Sequence, residues 1–283
     1  MITFFAMNAI PGGPFNKEKA TSAAVIATLE ARYNLDKPVG EQYVLYMKNL
    51  LHGDWGVSLH SGRPIWADMI SKFSVSAKLG GMAAIIAIIL GIILGAIAAL
   101  QRNKLPDRLI IFFTTLGTAM PSFVLATLLL LVFCTTLGWF QVYSAENPNY
   151  TLPVIALSVY PMAYITRLTK TSMLDALNQD YIRTARAKGV SKIKVIFLHA
   201  LRNALIPVIT YVGPMVAYIL TGSMVVENIF TIGGLGSTFV TSITNRDYPT
   251  IMAVTIFLAM LMVVANLITD VVYKFVDPRI KLD

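Results

Sequence analysis

Charge is scarce in this chain of 283 residues. Asp, Glu, Lys and Arg together make up 13% of it, about half of the roughly 25% usual in soluble domains. With 56% apolar residues and a mean hydropathy of +0.66, that excludes a disordered chain, argues against a water-soluble globule and points to a membrane protein. Cys134 is the single cysteine and lies in an apolar run, so no internal disulfide can form and a cysteine-based metal site is disfavoured. The three histidines, His52, His60 and His199, all fall outside the long apolar runs. No G-x-x-x-x-G-K-[ST], H-E-x-x-H or G-x-S-x-G is present, and the run Gly233–Gly236 lacks both the lysine and a following helix signal. The chain therefore carries no phosphate-cradling loop of an ATPase and no nucleophile–base set of an intramembrane enzyme.

Uncharged stretches locate the spans. A span needs roughly 20 mostly apolar residues to cross about 30 Å of hydrocarbon. Full spans are expected at about 79–100, 109–135, 152–170, 204–226 and 248–269, with Trp139, Phe140 and Tyr143 as an interfacial aromatic belt. The stretch 228–245 is also uncharged, but its glycines and hydroxyl residues make it a poor span, so a loop or re-entrant segment is expected there. Met1–Ile10 is apolar, yet ten helical residues reach only about 15 Å. It forms either a short stub or the remainder of a longer first helix. Residues 11–74 then form an extracytoplasmic segment, 75–273 the membrane domain and 274–283 a tail.

Basic residues orient this array. Segments 101–108, 167–202 and 274–283 hold fourteen of the 23 Lys and Arg residues, and five spans place all three on one side, cytoplasmic by the positive-inside rule. Together with Asp270 at the inner end of the last span, these segments carry six of the 15 acidic residues, so the whole net charge of +8 belongs to the inner face. The aromatics are spread through the spans rather than set among the basic residues, which argues against a nucleic-acid surface. The span interiors hold no Asp, Glu, Lys, Arg or His. Ion-coupled carriers and proton relays usually place such groups at membrane depth, so an ion-coupled secondary transporter is disfavoured and energy is expected from another protein.

Tyr43, Tyr46, Met47, Leu50 and Leu51 recur at helical spacing and predict an amphipathic helix ending at Gly53, with Asp54-Trp55-Gly56 as a turn. It either packs on the rim of the bundle or receives substrate. Gly91-Ile-Ile-Leu-Gly95 lets two helix backbones approach closely. Pro121, Pro153, Pro161, Pro207 and Pro214 lie in or at spans, as in helices lining a pathway and also in inert bundles. Between spans, Asp180-Tyr-Ile-Arg-Thr-Ala-Arg-Ala-Lys-Gly189 predicts a short helix: Asp180 as N-cap, small Thr184, Ala185 and Ala187, Arg183 and Arg186 on one face, and Gly189 as a left-handed terminator. Physics alone leaves it open between a helix that inserts into a cytoplasmic partner and a solvated basic loop.

The segment Arg183-Thr-Ala-Arg-Ala-Lys-Gly189 resembles the EAA loop of ABC importer permeases, keeping Ala185, Gly189 and Leu201 and departing at Arg183, Thr184, His199 and Arg202. The departures resemble the peptide-permease branch, as do His199-Ala-Leu-Arg-Asn-Ala204, Ile10-Pro-Gly-Gly-Pro-Phe15, Gly53-Asp-Trp-Gly-Val-Ser58, Val226-Glu-Asn-Ile-Phe230 and Arg246-Asp-Tyr-Pro249. Gly13 stands where that branch has Asp, and Gly233 where Pro is common. The resemblance is to the B-type membrane subunit of an oligopeptide or dipeptide ABC importer. It implies an all-α integral membrane protein of the ABC type-1 permease class, with five full spans and a truncated first helix. It implies an EAA coupling loop at 180–204 in which Asp180, Tyr181, Arg183, Thr184, Ala185, Arg186 and Gly189 engage an ATPase. The implied partners are a second homologous permease, two ATP-binding subunits, an extracytoplasmic peptide-binding protein and membrane lipid. ATP is then used by the partner subunits, with no cofactor bound by this chain and no catalysis of its own. The implied setting is the inner membrane of a prokaryote, multi-pass, C-terminus cytoplasmic. Permeases for nickel, glutathione and related small solutes share the branch.

Overall fold

The computed structural model describes residues 1–9 and 34–276, the last five of these by backbone alone. The Ile10–Phe15 motif and the tail from 277 onward lie outside the described residues. Among the described residues the regular structure is helical. Helix α1 (Ile2–Ala9) and α2 (Val39–Leu51) precede a 36-residue helix α3 (Ile65–Leu100). Then come α4 (Leu105–Ala119), α5 (Ser122–Leu129), which runs on through π-helical turns Leu130–Thr136, and α6 (Thr151–Leu177). The short α7 (Asp180–Ala187) leads through Lys192–Lys194 and π-helical Val195–Leu201 into α8 (Arg202–Leu220). Helices α9 (Met224–Ile229), α10 (Leu235–Asn245) and α11 (Tyr248–Val276) follow. Among the described residues four helices are long and apolar enough to cross a membrane, or five if the bent pair α4–α5 is counted as one span.

The differences from the expected spans have local causes. The helix expected from about 79 begins at Ile65, directly after Pro64, and so takes in the end of the expected extracytoplasmic segment. Its 36 residues reach roughly 54 Å, more than the hydrocarbon thickness, so Asp68, Lys72 and Lys78 mark where the helix leaves the apolar layer rather than where it ends. The single helix expected over 109–135 is two, meeting at 103°. Pro121 has no N–H to give, and it pushes Met120 into an extended conformation (φ −79°, ψ 125°). Helix α6 continues past Arg167 to Leu177. Helix α8 stops at Leu220, short of 226, where a turn through Gly222 intervenes.

The 228–245 stretch, expected as a loop or re-entrant segment, is a loop only over 230–234. Its second half is α10, an eleven-residue helix too short to cross a membrane, and the glycine run is followed by a helix after all. The hydroxyls that argued against helix are spent on the helix's own carbonyls: Thr238, Thr241 and Ser242 each donate to the carbonyl four residues back.

The core gathers Leu79 and Ala83 of α3, Ile165 of α6, Val208 and Ile219 of α8, and Val226 and Phe230 beyond it. Helices α3 and α6 are in van der Waals contact along the Gly91–Gly95 edge, facing Met162, Ile165, Thr166 and Thr169, so the two small residues seat one backbone on the other. At one end, Phe4 and Met7 of α1 pack with Tyr43 and Tyr46 of α2 against Ile251 and Met252 of α11. The amphipathic helix is therefore present and turns its tyrosines inward, although Leu51 is exposed. Its end follows the expected turn: the Gly53 N–H donates to the Leu50 carbonyl, and the Gly56 N–H to the Asp54 side chain at 2.8 Å.

Candidate functional site

Helix α7 sits between two spanning helices and uses one narrow stripe to attach. Ile182 and Ala185 are buried with Ala176 of α6 and with Val195 and Ala200 of the π-helical turns. Tyr181, Arg183, Thr184 and Arg186 are exposed. Gly189 takes φ +77°. Its N–H donates to the Arg186 carbonyl, and the Val190 N–H donates to the Ala185 carbonyl, the pair of bonds that closes a helix through a left-handed residue. No atom lies within 4 Å of where a Gly189 side chain would begin. Asp180 is the first helical residue rather than the cap, which is Gln179. Its carboxylate lies 3.5 Å from Arg183, an exposed i,i+3 pair worth at most about 1 kcal/mol. The Thr184 hydroxyl donates to the Asp180 carbonyl.

Tyr181 connects α7 to the membrane helices, since Asn203 Nδ2 donates to its phenol oxygen at 3.1 Å. Asn203 lies in the first turn of α8. That hydrogen bond ties α7 to α8, and the Ile182 and Ala185 contacts tie it to α6 and to the turns before α8. The structure also turns Ala185 inward, so the small side chain secures α7 to its own bundle while the outward face is basic.

Two polar clusters were not expected from the sequence. The first centres on Glu227, which is fully buried. Its carboxylate accepts from the Ser76 hydroxyl of α3 at 2.7 Å and from the Ser237 N–H at 2.9 Å. Ser76 in turn accepts from the Leu235 N–H at 2.8 Å. The start of α10, whose N–H groups have no partner within the helix, is therefore capped from two other elements. A signal was present: Glu227 is the sole charged residue between Arg202 and Arg246. The second cluster joins two of the sequence motifs. Asp247 of Arg246-Asp-Tyr-Pro249 accepts from the Ser58 hydroxyl and the Leu59 N–H of the loop before α3, and from Thr250. Glu227 and Asp247 both line a cavity of about 390 Å³ with Asp68 and Lys72.

At the other end of α3, Lys170 of α6 pairs with Asp107 at the start of α4, and Asp107 also accepts from the Asn103 N–H at 2.9 Å. Asp107 is 4% exposed, so this pair is internal and adds nothing to the basic face. Lys170→Met is expected to cost about 3–5 kcal/mol, because it strands a buried carboxylate. Lys170→Met with Asp107→Asn is expected to recover most of that loss. Apparent melting temperatures in detergent check both.

A bundle of long apolar helices, a short basic helix held between two of them, and polar clusters outside the span centres define a membrane-embedded permease. The chain belongs to the family of binding-protein-dependent transport system inner membrane components, which residues 91–282 match. It is 48% identical to a dipeptide transport system permease protein of Bacillus subtilis (strain 168), across 99% of this chain and 92% of that one. It is 42% identical to an oligopeptide transport system permease protein of Haemophilus influenzae, with the same coverage. Its fold is similar to those of the MetNI methionine ABC transporter (TM-score 0.59, 13% identity, 76% of this chain and 99% of that one) and of an amino acid ABC transporter with histidines (TM-score 0.60, 16% identity, 74% and 94%).

Proposed function

We propose that this chain is the translocation subunit of an ATP-driven importer that moves peptides across the cytoplasmic membrane of a prokaryote, with α7 as the element its ATPase drives. The observation that carries the second part is the split of α7 into a buried stripe and a bare basic face. Ile182 and Ala185 anchor the helix to the bundle, while Arg183, paired only weakly with the exposed Asp180, and Arg186 are exposed on the outer face, where carboxylates of a partner can reach them. Peptide as cargo is supported by the dipeptide and oligopeptide permeases that the chain matches over nearly its whole length. A second permease, two ATP-binding subunits and an extracytoplasmic binding protein complete the assembly. This chain binds no nucleotide, does no catalysis and keeps its C-terminus in the cytoplasm.

Gly189→Val tests the coupling role. A β-branched residue in the left-handed region costs roughly 1–2 kcal/mol, and it meets open space within the chain. Insertion and assembly are therefore expected to persist. Uptake of labelled peptide by a strain lacking the native gene is expected to fall by about tenfold or more, and ATP hydrolysis to lose its dependence on peptide. Normal uptake would reject α7 as the coupling element. Saturable nucleotide binding by the purified chain alone would reject the division of labour.

A further inference from the structure

Exposure along the spanning helices is of two kinds. On α3 the exposed side chains are Ile85, Ile89, Ile93 and Ile97, and on α11 they are Val263, Val264, Leu267 and Ile268; these faces suit lipid. Helices α6 and α8 are different. On α6 the exposed positions 160, 164, 167 and 171 fall on one face and read Tyr, Tyr, Arg and Thr. On α8, Asn203, Pro207, Pro214 and Tyr218 form the exposed row. The two rows meet where Tyr164 stacks on Tyr211, ring centroids 4.2 Å apart and planes inclined by 28°.

Depth makes this row informative. Arg167, expected at the start of the cytoplasmic segment, lies about 15 Å from the Leu177 end of α6 and about 24 Å from the Thr151 end, so an apolar layer of about 30 Å contained within α6 takes it in, contrary to the charge-free span interior expected from the sequence. It is exposed and makes no ion pair among the described residues. A guanidinium facing lipid there costs at least about 2.5–3.5 kcal/mol, so the face it occupies borders water or a polar occupant. Pro207 and Pro214 interrupt the backbone ladder on the neighbouring row, which is tolerated at membrane depth where other groups re-satisfy the freed carbonyls.

We infer that the α6–α8 face is the wall of the passage, with Tyr160, Tyr164 and Tyr211 as the contacts for a peptide in transit and Arg167 as the partner of its terminal carboxylate. This inference rests on the reading of the chain as a peptide importer. Phenol rings cover apolar side chains of any shape, and their hydroxyls both donate to and accept from amide groups. That combination serves cargo with a constant backbone and varied side chains. A guanidinium forks onto a carboxylate in two parallel bonds. Asn203, at the foot of the α8 row, is bonded to Tyr181 of α7, so the coupling helix and the peptide-contacting face share one element.

The test uses the assembled transporter in proteoliposomes, in a Cys134→Ser background, with trialanine as cargo. Tyr160→Cys and Tyr164→Cys are compared with Ile89→Cys on the lipid face of α3. A membrane-impermeant maleimide is expected to label the first two and not the third, and saturating trialanine during turnover is expected to slow that labelling severalfold. Labelling of Tyr164→Cys only by a lipid-soluble maleimide would place the row against lipid and overturn the inference. Labelling seen only when the second permease is absent would make the row a subunit interface and overturn it equally. Unprotected labelling in a complex that still imports trialanine would overturn it while leaving the importer reading intact; failure of the wild-type complex to import any peptide would instead sink that reading. Independently of the cysteine variants, Arg167→Gln is expected to raise KM for trialanine about tenfold and to leave trialanine amide unchanged. Equal effects on both peptides would reject the carboxylate contact.

Discussion

Gly95→Leu is expected to abolish assembly of a folded permease while leaving membrane insertion intact. Gly95 faces α6 so closely that a Cβ built there lies 2.6 Å from the Thr166 carbonyl oxygen and 2.5 Å from Thr169 Cβ. A carbonyl cannot rotate away as a side-chain tip can, so even a methyl must push two helices apart. At Gly91 the near atoms are Ile165 Cγ2 at 2.7 Å and Cβ at 2.8 Å, with the Met162 carbonyl oxygen at 3.1 Å; the Cγ2 can rotate away and the carbonyl is less close than at Gly95, so the collision is milder. Overpacking a core by a methylene or two costs about 1–3 kcal/mol, and leucine adds three carbons beyond the Cβ that already collides. The order expected is therefore Gly91→Ala mildest, Gly95→Ala intermediate, and Gly95→Leu without a monodisperse peak on gel filtration in detergent. Insertion depends on span hydropathy, which leucine raises, so protease mapping of the loops should be unchanged. A Gly95→Leu transporter that assembles and melts with the wild type would refute close packing of α3 on α6.

How much of this was legible in the sequence differs from element to element. Uncharged stretches found the membrane helices because hydropathy is a property of the stretch itself. They misplaced the ends because charge marks the edge of the apolar layer, whereas a helix ends where its caps and prolines say. Ile65 after Pro64 starts α3 well before the first uncharged residue, and Pro121 splits one stretch into two helices. For α7, the boundary at Gly189 was legible because a left-handed terminator is a local matter. The burial of Ala185 was not, since it depends on Val195 and Ala200 folding back over it. A count of small residues on a short helix cannot distinguish those that face a partner from those that face home. The row through Tyr160, Tyr164 and Arg167 was hidden for a related reason: those residues alternate with apolar ones along α6, and only the pattern of exposure separates the two faces.

Glu227→Ala carries the second large effect, and it acts on a different joint. This carboxylate, one residue past the span expected at 204–226, is wholly buried where α8 gives way to α9. Among the described residues no basic residue forms an ion pair with it. Its partners are the Ser76 hydroxyl and the Ser237 N–H, and the electropositive start of α10 stands over it. Removing the side chain takes the acceptor from the buried Ser76 hydroxyl and the partly buried Ser237 N–H, at about 1–3 kcal/mol each, and leaves a void beside Gly234 and Gly236, whose backbones approach it closely. A total of about 3–5 kcal/mol corresponds to a fall of roughly 10 °C in apparent melting temperature for a chain of this size. Glu227→Gln keeps one acceptor but turns an amide N–H₂ toward the other donor, so it should fall between alanine and wild type. Ser76→Ala combined with Glu227→Ala should cost less than the two single changes added together, because both remove the same bond. Gly95→Leu separates α3 from α6, whereas Glu227→Ala frees α10 from α3 and leaves that pairing in place. The Glu227→Ala chain should therefore still insert and assemble with its partners, and lose stability rather than form. A melting temperature within about 2 °C of wild type would mean that α10 is held by something other than this carboxylate.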